Sequence, residues 1–335
     1  MSDTFLISPV APEEAMQYRT SNGAKPETIV IGGSKSMQPL LLALCDLFTK
    51  RNRKVEFRLV MRGSSTAFAV LASDACHIAA MSRPPGAGDR ASFRSAKGHA
   101  PRSVRIGYSG HGPRPGAPTP PALYVHPSNP LSGLSMADVA RIFSSGSLAG
   151  DINFWDQLGL HGEWAGRRIH LYGPRDDGQY ASGFREAHLA GRTYAFHYEA
   201  LPDEAAIVRA VAQDPCGIGS IGRFDAGDIA KQVRILPLST EPNESVGTPS
   251  LENVGAGTYP LSFSLHLYCA NAPEAPIHNL LANFLRFALS DEAQMFVAQF
   301  TSTPEGFVRL SVSDLARERK KVASARVSRL SKASI

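Results

Sequence analysis

The sequence predicts a two-lobed α/β fold whose sheets are mixed but mainly parallel. Three observations carry this. Apolar strand-like runs alternate with helix-like runs along most of the chain, the pattern of βαβ units. Several of those strands end in short turns rich in Ser, Gly and Arg, where open α/β sheets gather ligands. At 335 residues, 43% hydrophobic and 19% charged, the chain is too long for one small core and has the make-up of a globular protein.

Residues 1–26 read as irregular, and ETIVIGG (27–33) is a buried strand leading through SKSMQP into the apolar helix LLLALCDLFTK. VEFRLVM (55–61) alternates like a strand, and RGSST (62–66) follows it, opening the helical run AFAVLASDA. HIAAM (77–81) is a short strand ending in Ser82-Arg83-Pro84-Pro85. The Gly- and Pro-rich stretch 107–122 is a loop or crossover into the strand ALYVH (122–126).

SMADVARIF (135–143) begins with a Ser and an acidic residue three places on, a capping-box-like start. The strand RRIHLYG (167–173) ends in the polar turn PRDDGQYASG, before a helix FREAHLAG. EAAIVRAVAQD is a helix and CGIGSIG a strand; 237–258 is loop-rich; LSFSLHLYCA (261–270) and IHNLLANFLRFALS (277–290) add a strand and a helix. The first lobe is expected from 27–110 plus 260–311, the second from 120–255, with a basic tail at 312–335.

Four polar turns, GGSKSM, RGSST, MSRP and PRDDGQY, therefore sit at the carboxyl ends of strands. Hydroxyls at helix starts with arginines nearby suit an anion, because helix N-termini present unpaired N–H groups. The plain alternative for any one of them is a helix cap. It is the recurrence that favours a site.

The ordered motifs GGSKSMQPL, RGSSTA, MSRP, ALYVHPSNPLSGLSMADVARIFSS, FWDQLGLHGEWAGRRIHLYGP, CGIGSIG and YPLSFSLHLYCANAP, with FLRFALSDEAQMFV, carry a resemblance. Across about 27–311 the chain resembles the substrate-binding proteins of phosphate ABC transporters, within the periplasmic-binding-protein superfamily. That resemblance implies a type II two-lobed fold with a hinge and an interlobe cleft. It also implies non-catalytic binding of phosphate or a similar oxyanion for delivery to an ABC permease in the inner membrane.

By the same resemblance Ser36 and Met37 match the first anion-binding loop, and Ser64, Ser65 and Thr66 the second. Ser82 stands where some members carry an Asp that accepts the proton of hydrogen phosphate, and Arg83 follows it as in others. In the fourth loop Arg175 and Gly178 are retained, while Gln179-Tyr180-Ala181 replaces the usual small residues. Tyr180 then either donates its phenol to an anion or fills the site.

The remaining signals exclude more than they add. Lys and Arg are scattered except near the C-terminus, so the net charge of +5 does not indicate a nucleic-acid groove. The basic tail reads as a solvated helix end, with anionic lipid or a partner as the other reading. No HExxH pair, CxxC pair or GxSxG elbow is present, so neither a metal, a cofactor nor a catalytic set is expected. Of Asp176 and Asp177, one reads as pairing with Arg175 and orienting it, rather than the two as an acid–base pair. Trp155 and Trp164 read as packing residues.

Four separated cysteines leave one or two disulfides open for an exported chain. No basic-then-apolar leader is visible, so the chain is either a mature exported form, acting in the periplasm, or one that stays in the cytoplasm. A monomer is expected. The functional alternative is a binding fold with an altered site, serving as a sensor or interaction module.

Overall fold

The computed structural model describes residues 16–17, 27–222 and 231–328. Apart from a two-residue strand, the irregular segment expected at 1–26 lies outside the described residues, as does the end of the basic tail.

The first sheet takes β1 (Met16–Gln17), β2 (Glu27–Gly33), β3 (Val55–Val60), β4 (Ile78–Met81), β5 (Arg102–Ser109) and a late strand, β13 (Phe263–Cys269). Its order is β1-β3-β2-β4-β13-β5. β2 runs parallel to β3 and β4, whereas β13 is antiparallel to both of its neighbours. The last five residues of β2 are all buried, so it reads as a continuous apolar run, while β3 alternates because every other residue faces outward. Helices α1 (Gln38–Arg51), α2 (Ser64–Ala72) and α3 (Ala87–Lys97) connect these strands. On α1, Leu40, Leu41, Leu44, Cys45 and Phe48 recur at helical spacing and are the buried face. Phe48 meets Phe57 and Phe284 edge-on, at 5.9 and 5.4 Å between ring centres, tying α1 to the sheet and to a C-terminal helix.

The second sheet has β6 (Ala122–Val125), β8 (His170–Pro174), β9 (Tyr198–Leu201), β10 (Gly217–Ile221) and β11 (Arg234–Ile235), in the order β11-β6-β10-β8-β9. A small pair, β7 (Leu134–Ser135) with β12 (Leu238–Ser239), lies beside it. Its helices are α4 (Met136–Phe143), α5 (Gln179–His188) and α6 (Glu204–Gln213), while the short α7 (Leu251–Ala256) packs on β5 of the first sheet. The capping signal at Ser135 is realised, since its hydroxyl accepts from the Asp138 N–H. Trp155 and Trp164 are buried and meet at a right-angled contact of 5.9 Å, as packing residues do.

The chain crosses between sheets twice, and the crossings touch. Tyr259, buried in the second, donates its hydroxyl to the Pro121 carbonyl of the first at 3.1 Å. Beyond β13 come β14 (Ile277–His278), α8 (Asn279–Ala288), α9 (Asp291–Gln299), α10 (Val312–Ala323) and β15 (Val327–Ser328). The architecture is thus the expected mixed α/β fold in two lobes.

Several elements depart from the sequence reading. The β8 strand begins at His170 and not at Arg167, because residues 167–169 pair with the loop at 153–155 instead. The stretch GYS belongs to β5, and α3 and β9 were not foreseen. The C-terminal segment is not a solvated helix end. α10 buries Asp314, Glu318 and Val322, and Arg105 of β5 donates its Nη1 to Asp314 at 3.4 Å and its backbone N–H to Glu318 at 3.3 Å. Among the described residues no disulfide forms; all four thiols are free, three of them buried.

Candidate functional site

β3, β2 and β4 lie side by side and parallel, so the turns that follow them share one end of the first sheet. Two glycines let these turns converge. Gly33 has φ +134°, and a Cβ there would fall on the Ala80 carbonyl of β4. Gly63 has φ +124° and donates its N–H to the Gly33 carbonyl at 2.8 Å. Three hydroxyls meet as a result: Ser34 to Ser82 at 2.8 Å, Ser34 to Ser36 at 3.0 Å, and Ser36 donating to Ser82 at 3.1 Å. Each can donate or accept, so the cluster can turn its protons toward an anion.

The second turn opens α2. Gly63 is its N-cap and no side chain caps the helix, so Ser64, Ser65 and Thr66 form the first turn itself. Thr66 donates its hydroxyl back to the Gly63 carbonyl at 3.0 Å, which fixes the helix start. Ser64, half-buried, and Ser65, exposed, make no hydroxyl bond to other described residues. Their hydroxyls and the helix's leading N–H groups are the unsatisfied donors beside the serine cluster. Met37 is placed differently. It is fully buried in the core, and its N–H donates to the Ser34 carbonyl at 3.1 Å, so it shapes the first turn from behind.

Arg83, next after Ser82, is held by its neighbours. Its Nη1 donates to the Pro84 carbonyl at 2.7 Å and to Asp89 at 3.0 Å, and Asp89 also accepts the Gly86 N–H at the start of α3. The guanidinium is therefore held at the edge of the cleft as one half of an ion pair.

The fourth turn does not join the serines as the sequence reading expected. The Arg175 carbonyl accepts the Gly178 N–H at 2.9 Å, closing the turn, and Gly178 caps α5. The Arg175 side chain, 73% exposed, points to solvent and grips Asp177 with Nε and Nη2 at 3.2 and 2.9 Å. That pairing raises the Arg175 pKa and lowers that of Asp177. Arg175 is thereby engaged outside the cleft. Tyr180 turns inward instead: its hydroxyl is 3.4 Å from the Ser220 hydroxyl of β10, and its ring lies over Gly222, where a Cβ would come within 2.9 Å. Burial pushes its pKa up to about 12, so at neutral pH it is a phenol that can donate. The Gln179 side chain lies outside the described residues.

Between the lobes lies a cavity of about 320 Å3, reached by Arg83 and Pro84 from the first sheet's side, by Tyr180, Phe184 and Glu204 from the second, and by Phe263 at the returning strand. Among the described residues no set of three or more His, Cys, Asp or Glu is placed to hold a metal. Among the described residues no histidine hydrogen-bonds the clustered serines.

A family model described as a PBP superfamily domain matches residues 20–292. The chain belongs to the PBP superfamily. As a PBP superfamily member it is 28% identical over 301 residues to the phosphate-binding protein PstS of Pseudomonas aeruginosa, covering 89% of this chain and 88% of that protein. It is 24% identical over 307 residues to protein SphX of Synechococcus elongatus, covering 91% and 84%. Among solved PBP-like structures, PstS from Borrelia burgdorferi superposes with a TM-score of 0.55 at 16% identity, over 85% of this chain and all of that one. An ABC-type phosphate transport receptor from Vibrio cholerae gives 0.51 at 18%, over 84% and all. The structural likenesses bear out the two-lobed fold.

Sequence reasoning missed Ser34, although it sits in the same GGSKS stretch and directly follows the last glycine of the strand, a signal that was available. It also missed Ser220 and Glu204, for which no local pattern exists. They become site residues only because β10 and α6 border the cavity side of α5.

Proposed function

We propose that this PBP superfamily protein binds phosphate or a closely similar oxyanion between its lobes and delivers it, without chemistry, to an ABC permease. The observation that carries this is the meeting of Ser34, Ser36 and Ser82 within 3.1 Å, beside the start of α2, where the cap is a glycine with no side chain to bond the first turn. A cluster of hydroxyls with helix N–H groups is a donor array suited to a desolvated anion. The similarity to a protein named phosphate-binding, spread over almost nine-tenths of both chains, supports the same reading.

In this reading Ser36, Ser64, Ser65 and Ser82 donate to the oxyanion, with Ser34 orienting two of them. Arg83 supplies positive charge and Tyr180 a phenolic donor from the facing lobe. Arg175 takes part only by releasing Asp177. The lobes, 27–110 with 260–311 and 120–255, close on the ligand about the paired crossings at Pro121 and Tyr259. The protein acts as a monomer outside the cytoplasm, against a permease of the inner membrane.

Titration calorimetry with inorganic phosphate tests this. Saturable one-to-one binding, weakened when Ser36 and Ser82 are both changed to Ala, is expected. Binding of no oxyanion would overturn the reading. It would favour a sensor or interaction module, to which the outward pairing of Arg175 with Asp177 already lends weight.

A further inference from the structure

An inorganic oxyanion needs donors on every side and no apolar room. The interlobe cavity is built otherwise. Its 320 Å3 is within the range of about 300–1,000 Å3 typical of small organic ligands. Phe184 and Phe263 supply aromatic wall, and Tyr180 adds a ring with one polar tip. His188 also lines it, its ring 5.1 Å from that of Phe184; burial lowers its pKa to about 4, so it is neutral and adds no charge at pH 7. Arg83, adjacent in sequence to Ser82 of the serine cluster, lies on the wall with its guanidinium paired to Asp89 at 3.0 Å, and Glu204 adds a negative charge to the same enclosure.

We propose that the physiological ligand is a small organic phosphate monoester or phosphonate. Its anionic head engages the Ser82 and Arg83 side, and its substituent, apolar and neutral or cationic at its far end, occupies the cavity. This rests on the oxyanion-binding reading of the serine cluster and adds the substituent to it. The apolar walls favour a carbon substituent by removing its surface from water, and the Glu204 carboxylate disfavours a second anionic group. Tyr180 keeps its role as a phenolic donor, turning from Ser220 to the anionic head.

Gly183 of α5 lines the same cavity, and a Cβ built on it meets nothing within 4 Å. Gly183→Leu therefore adds bulk at the cavity wall from a Cβ that meets no other atom, on a helix that leucine favours over glycine. The experiment titrates inorganic phosphate and phenylphosphonate into the unmodified chain and into Gly183→Leu, with thermal melts to confirm that both are folded. The expected result is that phenylphosphonate binds the unmodified chain at least tenfold more tightly than phosphate, and that Gly183→Leu abolishes this preference while phosphate affinity changes less than twofold. Phosphate binding with phenylphosphonate excluded, or a preference that survives Gly183→Leu, overturns the inference and leaves the oxyanion reading intact. Failure of both probes to bind the unmodified chain overturns the oxyanion reading and this inference with it.

Discussion

The hydroxyls of Ser34 and Ser82 lie 2.8 Å apart although 48 residues separate them. One ends β2 and the other ends β4, and those strands are hydrogen-bonded neighbours. Parallel pairing brings like ends together, so a turn that looks in sequence like one more cap becomes one third of a cluster.

Ser64 distinguishes binding from capping. Because Gly63 caps α2 and no side chain does, Ser64→Ala is expected to leave the melting temperature almost unchanged. It should remove a charge-assisted hydrogen bond worth about 1.5–3 kcal/mol, a loss in phosphate affinity of roughly tenfold or more. Calorimetry and a melt on the one variant test both halves. Full affinity with lowered stability would remove Ser64 from the site.

Ser82 sets how strictly the site tells phosphate from sulfate. Its described hydroxyl partners are serines, with no carboxylate to repel a fully deprotonated anion. The unmodified chain should therefore reject sulfate only weakly, and Ser82→Asp should raise the phosphate-to-sulfate ratio about tenfold or more. Titration of each anion at matched ionic strength measures the ratio. Rejection of sulfate by a factor of thousands in the unmodified chain contradicts the argument and points to Asp177 as the proton reader.

Arg90 of α3 and Glu186 of α5 form an ion pair that spans the lobes. The pair is partly exposed, so its coupling is expected to be no more than about 1 kcal/mol and to fade with salt. Glu186→Gln should enlarge the radius of gyration of the unliganded chain in low salt, with ligand restoring the compact form. Small-angle scattering with and without phosphate reads both. An unchanged radius on measured binding argues against hinged closure.

Two half-buried histidines make stability fall with acid. Burial lowers the pKa of His188 and His266 from 6.5 to about 4, with Arg105 adding to the effect on His266. The unfolded chain then binds more protons than the folded one between those values, so stability is complete above pH 6.5 and is lost as pH falls toward 4. Each shift corresponds to roughly 3 kcal/mol over that window. Melts at pH 7.5, 5.5 and 4.5 should show the decline, and His266→Phe should flatten it. An identical slope in the variant removes His266 as a contributor.

β2 and β3 of the first sheet were legible because they carry unbroken or alternating apolar runs. The boundaries that slipped have local causes. α5 starts at Gln179, five residues before the apolar run that announced it, because Gly178 begins the helix while Gln179-Tyr180-Ala181-Ser182 offers no stripe to read. Resemblance places Arg175 at the ligand, whereas in the structure its guanidinium is taken by Asp177 two residues on. α10 looked solvated because its buried face is acidic. Asp314 and Glu318 are satisfied by Arg105, which no pattern within 312–335 reveals.

The place of β13 between β4 and β5 bears on how the molecule is made. Synthesis begins at the N-terminus, so β2 to β5 leave the ribosome about 150 residues before the strand that must pass between them. Until Phe263–Cys269 arrives, the inner edges of β4 and β5 face each other with open backbone donors and acceptors. The five strands of the second sheet, all within 122–235, are complete by then. The lobe encoded first is therefore finished last, and a nascent chain stalled before residue 263 presents two unclosed sheet edges to any chaperone that meets it.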